Sequence, residues 1–171
     1  MLHVLALLAA TSVEPVVSTV WLQAHLADPR VRVVYVGDAD TYLKGHIPGA
    51  RMIEHMDTVQ MGANGHRLAP TDVLVKAFAR TGVADGSHVV LYGDTPMATG
   101  WVNSALVAIG HGGDVSWLDG GIAAWRSENR PLETTVPSPG SGPLTARPAP
   151  ALFVMRARAI VAVAPPTTIT P

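Results

Sequence analysis

The side chains with most chemical potential in this sequence are carboxylates and histidines, because its 171 residues include 13 acidic residues and seven histidines but no cysteine. The absence of a thiol excludes disulfide bonds, thiolate metal sites and a cysteine nucleophile within this chain. His46, His55 and His66 occur in the same region as Glu54 and Asp57. No pair among them has the i, i+4 spacing with which a helix presents two ligands to one metal ion. We therefore predict no metal ion and no other cofactor.

Asp94 and His46 each invite a chemical role, and each has a structural alternative. Asp94 could be the catalytic carboxylate of a hydrolase, or a helix-start residue attracted by backbone amides. His46 could contribute to a substrate site, or its ring could tie the turn Gly45–Ala50 to neighbouring backbone. The sequence favours the structural interpretation of both. The segment around Asp94 comprises Gly93, Asp94, Thr95, Pro96, Met97, Ala98, Thr99 and Gly100.

The elements that must position these side chains alternate between apolar strands and helices. Strands are predicted over 31–36, 52–53, 88–92 and 114–118. Helices are predicted over 18–28, 71–82, 100–109 and 122–127, with Thr71 as an N-cap and with loops over 37–45 and 93–99. Continuous apolar strands at helix-crossover spacing indicate an α/β domain with a mostly parallel sheet. Because ligands of such sheets bind beyond the carboxyl ends of the strands, the loops starting at Gly37, Gly93 and Asp119 are the expected site.

Composition agrees with one globular domain. Apolar residues make up 48% of the chain and charged residues 15%, which is unlike a disordered chain. The net charge of −1 gives no reason to expect a nucleic-acid partner. No apolar run reaches the roughly 18 residues that a membrane span needs, so no membrane span is predicted.

The two ends differ from the body, which we assign to residues 16–133. Residues 1–15 read either as a signal-like segment or as a ragged first strand or helix. The location is therefore open between the cytoplasm and, if residues 1–12 act as a signal, the periplasm or the exterior. Residues 134–171 carry 8 of the 14 prolines and no acidic residue, so they are expected to form a weakly packed linker or tail from about Thr134 onward.

Several motifs occur in an order that resembles one known family. They are Gly45-His-Ile-Pro-Gly-Ala50, Gly82-Val83 followed by the strand His88–Tyr92, Gly110-His111, and Leu118-Asp-Gly-Gly121 with Trp125. Together they resemble the rhodanese family of sulfurtransferases over roughly Val17 to Leu132. The opening Val17-Ser-Thr-Val-Trp-Leu22 resembles the start of two-domain members, the thiosulfate and 3-mercaptopyruvate sulfurtransferases. That resemblance implies a three-layer rhodanese-like fold and a non-catalytic first domain.

The sequence departs from active members of that family at the decisive position. The resemblance implies a catalytic cysteine directly after the strand ending at Tyr92, where this chain has Gly93. Asp94 would repel an anionic sulfur donor, and Pro96 removes one backbone donor from an anion cradle. We therefore predict that Gly93–Gly100 is a vestigial active-site loop with no catalytic residue.

A second departure concerns the strand before the Gly-His-Ile-Pro-Gly-Ala motif. Many members have an aspartate where this chain has Tyr35. Asp38 and Asp40 lie just beyond and are expected to tie the same loop. With His46, which lies near the domain interface in two-domain members, they are the candidate interface or substrate-proximal residues.

These observations lead to one functional hypothesis with two alternatives. The first is that the chain is the non-catalytic domain of a two-domain sulfurtransferase and is inactive alone, with a second rhodanese domain as its partner. The second is a freestanding inactive rhodanese module that binds a protein or a small anion. The third is a hydrolase that uses Asp94. A small sulfur-containing anion is a further candidate ligand.

Overall fold

The computed structural model describes residues 13–63, 65–138 and 142–147. The strands are β1 (Val16–Val17), β2 (Val31–Val36), β3 (Arg51–Ile53), β4 (Val59–Gly62), β5 (Gly65–Leu68), β6 (His88–Gly93) and β7 (Val115–Leu118). The helices are α1 (Thr19–His25), α2 (Ala39–Leu43), α3 (Thr71–Arg80), α4 (Pro96–Ala108) and α5 (Gly121–Ser127), with short 3₁₀ turns at His55–Thr58 and Gly112–Asp114.

Five parallel strands form the central sheet in the order β1-β7-β6-β2-β3. β2 and β6 pair along their whole length, from Val31 opposite His88 to Val36 opposite Gly93. Because the two strands end in register, the residues that follow them lie side by side at the carboxyl edge of the sheet. β4 and β5 form a separate antiparallel hairpin.

The sheet is covered on both faces, which makes the predicted α/β fold a three-layer structure. Side chains alternate along β2, so Val34 and Val36 pack with α3 and α4, while Val33 and Tyr35 pack on the opposite side with α1, α2 and α5. Both faces of the central strands are therefore buried, as the continuous apolar runs in the sequence predicted. The fold class is confirmed.

The predicted loops were too long at two places. Residues 37–45 contain α2, which begins because the Asp38 carboxylate accepts a 2.8 Å hydrogen bond from the Thr41 amide. α4 begins at Pro96 rather than near Gly100, because Thr95 caps it and a proline at the first helical position needs no hydrogen-bond donor.

Other differences are smaller. α1 ends at His25 rather than near Asp28, and Pro70, not Thr71, is the residue before the first turn of α3. β1 and the β4–β5 hairpin were not predicted. β4 and β5 are only four residues long and bury no residue, so neither contains the continuous apolar run by which the other strands were predicted.

The segment 142–147 packs against the domain. The Arg147 amide donates a 2.7 Å hydrogen bond to the Ile109 carbonyl, and the Asp85 amide donates one of 2.8 Å to the Pro143 carbonyl. The Asp85 carboxylate accepts a 2.9 Å hydrogen bond from the Thr145 amide, which lowers the pKa of that carboxyl group. Leu144 and Ala146 pack against the core. The expectation of a weakly packed tail from Thr134 is therefore wrong for this segment.

Residues 1–12 and 148–171 lie outside the described part of the chain, so the signal-like N-terminus and the remainder of the tail stay predictions. Among the described helices, none is both long and apolar enough to cross a membrane.

Gly110 offers a test of the docked segment. Its φ is +85°, and a Cβ atom there would lie 2.1 Å from the Arg147 carbonyl oxygen. We expect Gly110→Ala to lower the free energy of unfolding by about 2–4 kcal/mol, from overpacking added to the cost of a left-handed alanine. In a chain ending at Ser138, only the backbone cost of about 1–2 kcal/mol should remain.

Urea denaturation of both chain lengths measures these values, with Gly113→Ala as control because a Cβ atom at Gly113 meets nothing within 4 Å. An equal effect of Gly110→Ala in the long and short chains would contradict the docking of residues 142–147.

Candidate functional site

The candidate site lies at the carboxyl edge of the sheet, where β2 and β6 end together. Asp94 follows β6, and α4 begins two residues later at Pro96. Asp94 lies between two clefts and lines both of them. The larger, of about 390 Å³, extends toward Trp117 and the start of α5. The smaller, of about 270 Å³, extends toward Asp38 and Glu54.

Gly93, where the resemblance implies a cysteine in active members, has no room for a side chain, and we call this position closed. A Cβ atom on Gly93 would lie 2.4 Å from the Thr99 hydroxyl oxygen and 2.5 Å from the Val36 carbonyl oxygen. The carbonyl belongs to the neighbouring strand and cannot swing aside like a flexible side chain. A cysteine at position 93 therefore does not fit without movement of the sheet edge, so substituting Gly93 is not a simple way to restore a thiol.

The Asp94 carboxylate is turned toward β2. The Tyr35 hydroxyl donates a 2.5 Å hydrogen bond to Asp94 Oδ2. Burial, followed by this contact with the carboxylate, raises the pKa of Tyr35 well above its ordinary value, so Tyr35 acts as a neutral donor. Gly37 makes room for the pair, because a Cβ atom there would lie 2.2 Å from the Tyr35 hydroxyl and 2.3 Å from Asp94 Oδ2.

The start of α4 has few free backbone donors for an anion. The Asp94 amide donates to the Val36 carbonyl, and the Ala98 amide donates to the Thr95 hydroxyl. The Thr99 amide bonds the Thr95 carbonyl, while Pro96 has no N–H. An anion here would have to rely on a small remainder of the donors that the helix end normally offers.

The smaller cleft is acidic. Asp38, Glu54 and Asp94 line it together with His55, and none of its lining residues in the described part of the chain is lysine or arginine. Like charges repel, so this edge disfavours a dianion such as thiosulfate. The electrostatics here suit a cationic group.

Asp38 and Asp40 differ in what they do. Asp38 caps α2, and its hydrogen bonds from the Thr41 amide and hydroxyl lower the pKa of its carboxyl group. Asp40 lies in the first turn of α2, is exposed, and lines neither cleft beside Asp94. The structure thus brings Asp38, but not Asp40, to the site.

His46 lies in the interior of the domain. It is 1% exposed, its ring stacks on Tyr42 at 3.8 Å, and its Nδ1 lies 3.0 Å from the Tyr42 carbonyl oxygen. Since a carbonyl only accepts, Nδ1 carries the proton. His46 also exchanges two 2.9 Å backbone hydrogen bonds with Glu133. Its ring ties the turn to neighbouring backbone, and it lines neither cleft beside Asp94.

Three tyrosines that sequence reasoning did not assign to the site connect this turn to it. The rings of Tyr42 and Tyr92 lie 5.8 and 5.3 Å from the ring of Tyr35. The Tyr92 hydroxyl accepts a 3.2 Å hydrogen bond from the Ile47 amide, and the Tyr42 hydroxyl donates one of 2.7 Å to the Ala50 carbonyl. The sequence could have indicated these site residues only through the tyrosines near the ends of two neighbouring strands, beside short loops.

The described residues include no group of three or more histidine, cysteine or acidic side chains that could hold a metal ion. This edge instead has the neutral Tyr35 hydrogen-bonded to the Asp94 carboxylate and an acidic cleft beside them. At Gly93, where a nucleophile is expected, there is no space for a side chain.

Comparison with known proteins identifies a matching family and several relatives of this chain. Residues 18–128 match the family model of the rhodanese-like domain. The chain is 38% identical to the sulfur carrier protein TtuD of Thermus thermophilus over 128 residues, which cover 73% of this chain and 44% of that protein. It is 34% identical to the thiosulfate sulfurtransferase of Azotobacter vinelandii, over 72% of this chain and 46% of that protein. The chain thus spans less than half of the length of these relatives.

Solved structures agree on the fold. SseA from Escherichia coli, described as a 3-mercaptopyruvate sulfotransferase with the rhodanese fold, superposes with a TM-score of 0.64 at 24% identity. The match covers 86% of this chain and 62% of that chain. Because the family model matches well over half of its residues, the chain belongs to the family of rhodanese-like domains.

Proposed function

We propose that this chain is the non-catalytic domain of a two-domain sulfurtransferase and is paired with a second rhodanese domain that carries the cysteine. Its relatives include thiosulfate sulfurtransferases more than twice as long as the matched region. The chain itself has no cysteine. A sulfur transfer that needs a thiol must therefore take it from elsewhere.

The observation that carries this proposal is the closed position at Gly93. Loss of a catalytic cysteine by a simple substitution would leave space where its side chain had been. Here Thr99 and the Val36 carbonyl occupy that space, and the Asp94–Tyr35 pair occupies the neighbouring one. This loop is built for a different purpose from holding a persulfide.

In the intact protein, the family resemblance implies a double displacement. A thiolate of the partner domain takes the sulfane sulfur of thiosulfate, releasing sulfite, or the sulfur of 3-mercaptopyruvate, releasing pyruvate. A thiophilic acceptor such as cyanide then attacks the outer sulfur of the persulfide, leaves as thiocyanate and restores the thiolate. Every step on sulfur takes place on the partner domain.

We propose that this chain forms one wall of the interface between the two domains, next to the site on the partner domain. Asp38, Glu54 and Asp94 make the carboxyl edge acidic, which complements a partner loop that is basic in order to hold an anionic donor. Met97, 80% exposed, and Met56, 44% exposed, provide apolar contact area at the same edge.

The alternative is a freestanding rhodanese module that binds a protein. The downstream coding sequence separates the two: a second motif of the Gly-His-Ile-Pro-Gly-Ala type followed by strand, cysteine and loop supports the two-domain proposal. A stop codon followed by an unrelated gene supports the freestanding module.

The proposal predicts that the purified chain forms no thiocyanate from thiosulfate and cyanide above the uncatalysed rate, because no thiolate is present to carry sulfur. A cysteine-containing rhodanese assayed in parallel is the positive control. Turnover that co-elutes with the chain through two different columns and is lost on heating would contradict the prediction.

The closed position predicts opposite outcomes for two glycines that flank the segment. Gly93→Ala should lower the free energy of unfolding by about 1–3 kcal/mol through overpacking. Gly100→Ala should be neutral or stabilising by up to about 1 kcal/mol, because Gly100 lies within α4 and its added Cβ would meet only Trp117 at 3.9 Å.

Urea denaturation of both variants measures the contrast. If Gly93→Ala were as stable as Gly100→Ala, the position would be open, and the chain would be better explained as a catalytic domain that has lost its cysteine.

A further inference from the structure

A third cleft, of about 330 Å³, lies away from the candidate site between α2, β3 and the segment that follows Glu133. It shares no lining residue with the two clefts beside Asp94. Its walls are mostly apolar, and two arginines are its cations. The residues that form it include Leu43, Met52, Val136, Pro137, Arg51 and Arg80.

Arg51 is the unusual residue of this cleft. Its Nη1 is buried and has no hydrogen-bond partner among the described residues. Burial, and secondarily repulsion from Arg32, lowers the pKa of the Arg51 guanidinium. No ion pair joins Arg51 to a carboxylate in the described part of the chain. A partly desolvated cation without an anion is costly, since buried charges are normally paired.

The neighbouring arginines, Arg32 and Arg80, have the same charge as Arg51, so they do not offset the cost of burying its guanidinium. Arg32 uses its own guanidinium to donate 2.9 Å hydrogen bonds to the Gly82 and Val31 carbonyls. Arg80 is an exposed residue at the cleft and forms a long ion pair of 3.9 Å with Asp57. Arg80 thus adds positive potential for an approaching anion, while Arg51 is the group that lacks a counter-ion.

We propose that this cleft is a second binding site, which takes a small monocarboxylate with a compact apolar body and holds the carboxylate on Arg51. Because Nη1 is buried from solvent, the carboxylate pairs side-on with the two other nitrogens of the guanidinium, Nε and Nη2, through two parallel hydrogen bonds. The side chains of Leu43, Met52 and Val136 offer the rest of the ligand an apolar surface. A volume of about 330 Å³ suits only a small ligand, because binding pockets commonly range from about 300 to 1,000 Å³.

The same chemistry disfavours a phosphate or another dianion. The apolar walls offer few donors for its additional oxygens, and unpaired oxygens in an apolar cleft cost free energy. One desolvated guanidinium matches one negative charge. The ligand class is therefore a hydrophobic monocarboxylate and not an inorganic anion.

Benzoate and benzamide provide the test, because they have nearly the same shape and differ in charge. We expect benzoate to bind the full chain in the millimolar range, with NMR shift changes centred on Leu43, Met52 and Val136. Benzamide should bind at least about tenfold more weakly, as expected when a hydrogen bond to a charged group is lost. Both titrations are run at constant ionic strength.

Three variants locate the charge. Arg51→Gln should remove the preference for benzoate over benzamide, and Arg80→Gln should weaken benzoate binding only about two- to threefold, as for an exposed charge. Arg67→Gln, on the exposed β5 strand, should bind benzoate like the parent chain. An effect of Arg67→Gln equal to that of Arg51→Gln would assign the binding to net charge alone and overturn the proposal.

Equal binding of benzoate and benzamide by the parent chain, shift changes outside the cleft, or no shift changes with benzoate up to about 10 mM would each overturn the proposal as well. These results come from the parent chain, so they decide the question even if Arg51→Gln does not fold. They are also independent of whether the chain has a sulfurtransferase partner.

Discussion

The in-register pairing of β2 with β6 is the constraint on which the rest of this structure depends. It places the Val36 carbonyl against Gly93 and lets Tyr35, one residue earlier on β2, reach Asp94. A one-residue slip would turn every side chain of β2 to the opposite face and would break both contacts. The lack of space at Gly93 and the acidic edge therefore follow from this strand register. The register is itself fixed by the burial of both faces of the sheet.

The pairing of β2 with β6 also positions the turn Gly45–Ala50. Tyr35 and Tyr92 lie opposite one another in the pairing, and the Tyr92 hydroxyl accepts a hydrogen bond from the Ile47 amide. His46 stacks on Tyr42 and pairs with Glu133, which leads the chain toward the cleft at Arg51. The backbone of His46 thus holds the segment that follows the last helix, while its ring holds the turn against Tyr42.

Much of the fold was predictable because its signals are local or periodic. The β-branched run 31–36 and the capping by Ser18 needed no knowledge of distant residues. The closed space at Gly93 could not be predicted, because it depends on Val36 and Thr99, which meet it only after β2 and β6 pair. The docking of 142–147 was missed for a related reason: proline and glycine around Leu144 indicate a linker, and only the folded surface provides the carbonyl of Ile109 as a partner. The Tyr35–Asp94 bond joins residues far apart in sequence and leaves no local pattern.

We propose that this domain supports a thiol that lies outside it. The most direct test of this proposal is to isolate the protein from its native source with an antibody against this chain, treat it with thiosulfate, and locate added sulfur by mass spectrometry of its peptides. The account predicts a mass increase of one sulfur atom on a cysteine peptide that lies beyond these 171 residues, in the same polypeptide or in a bound partner. Thiosulfate treatment that adds no sulfur to any peptide, or adds it to a peptide of this chain, would contradict the account.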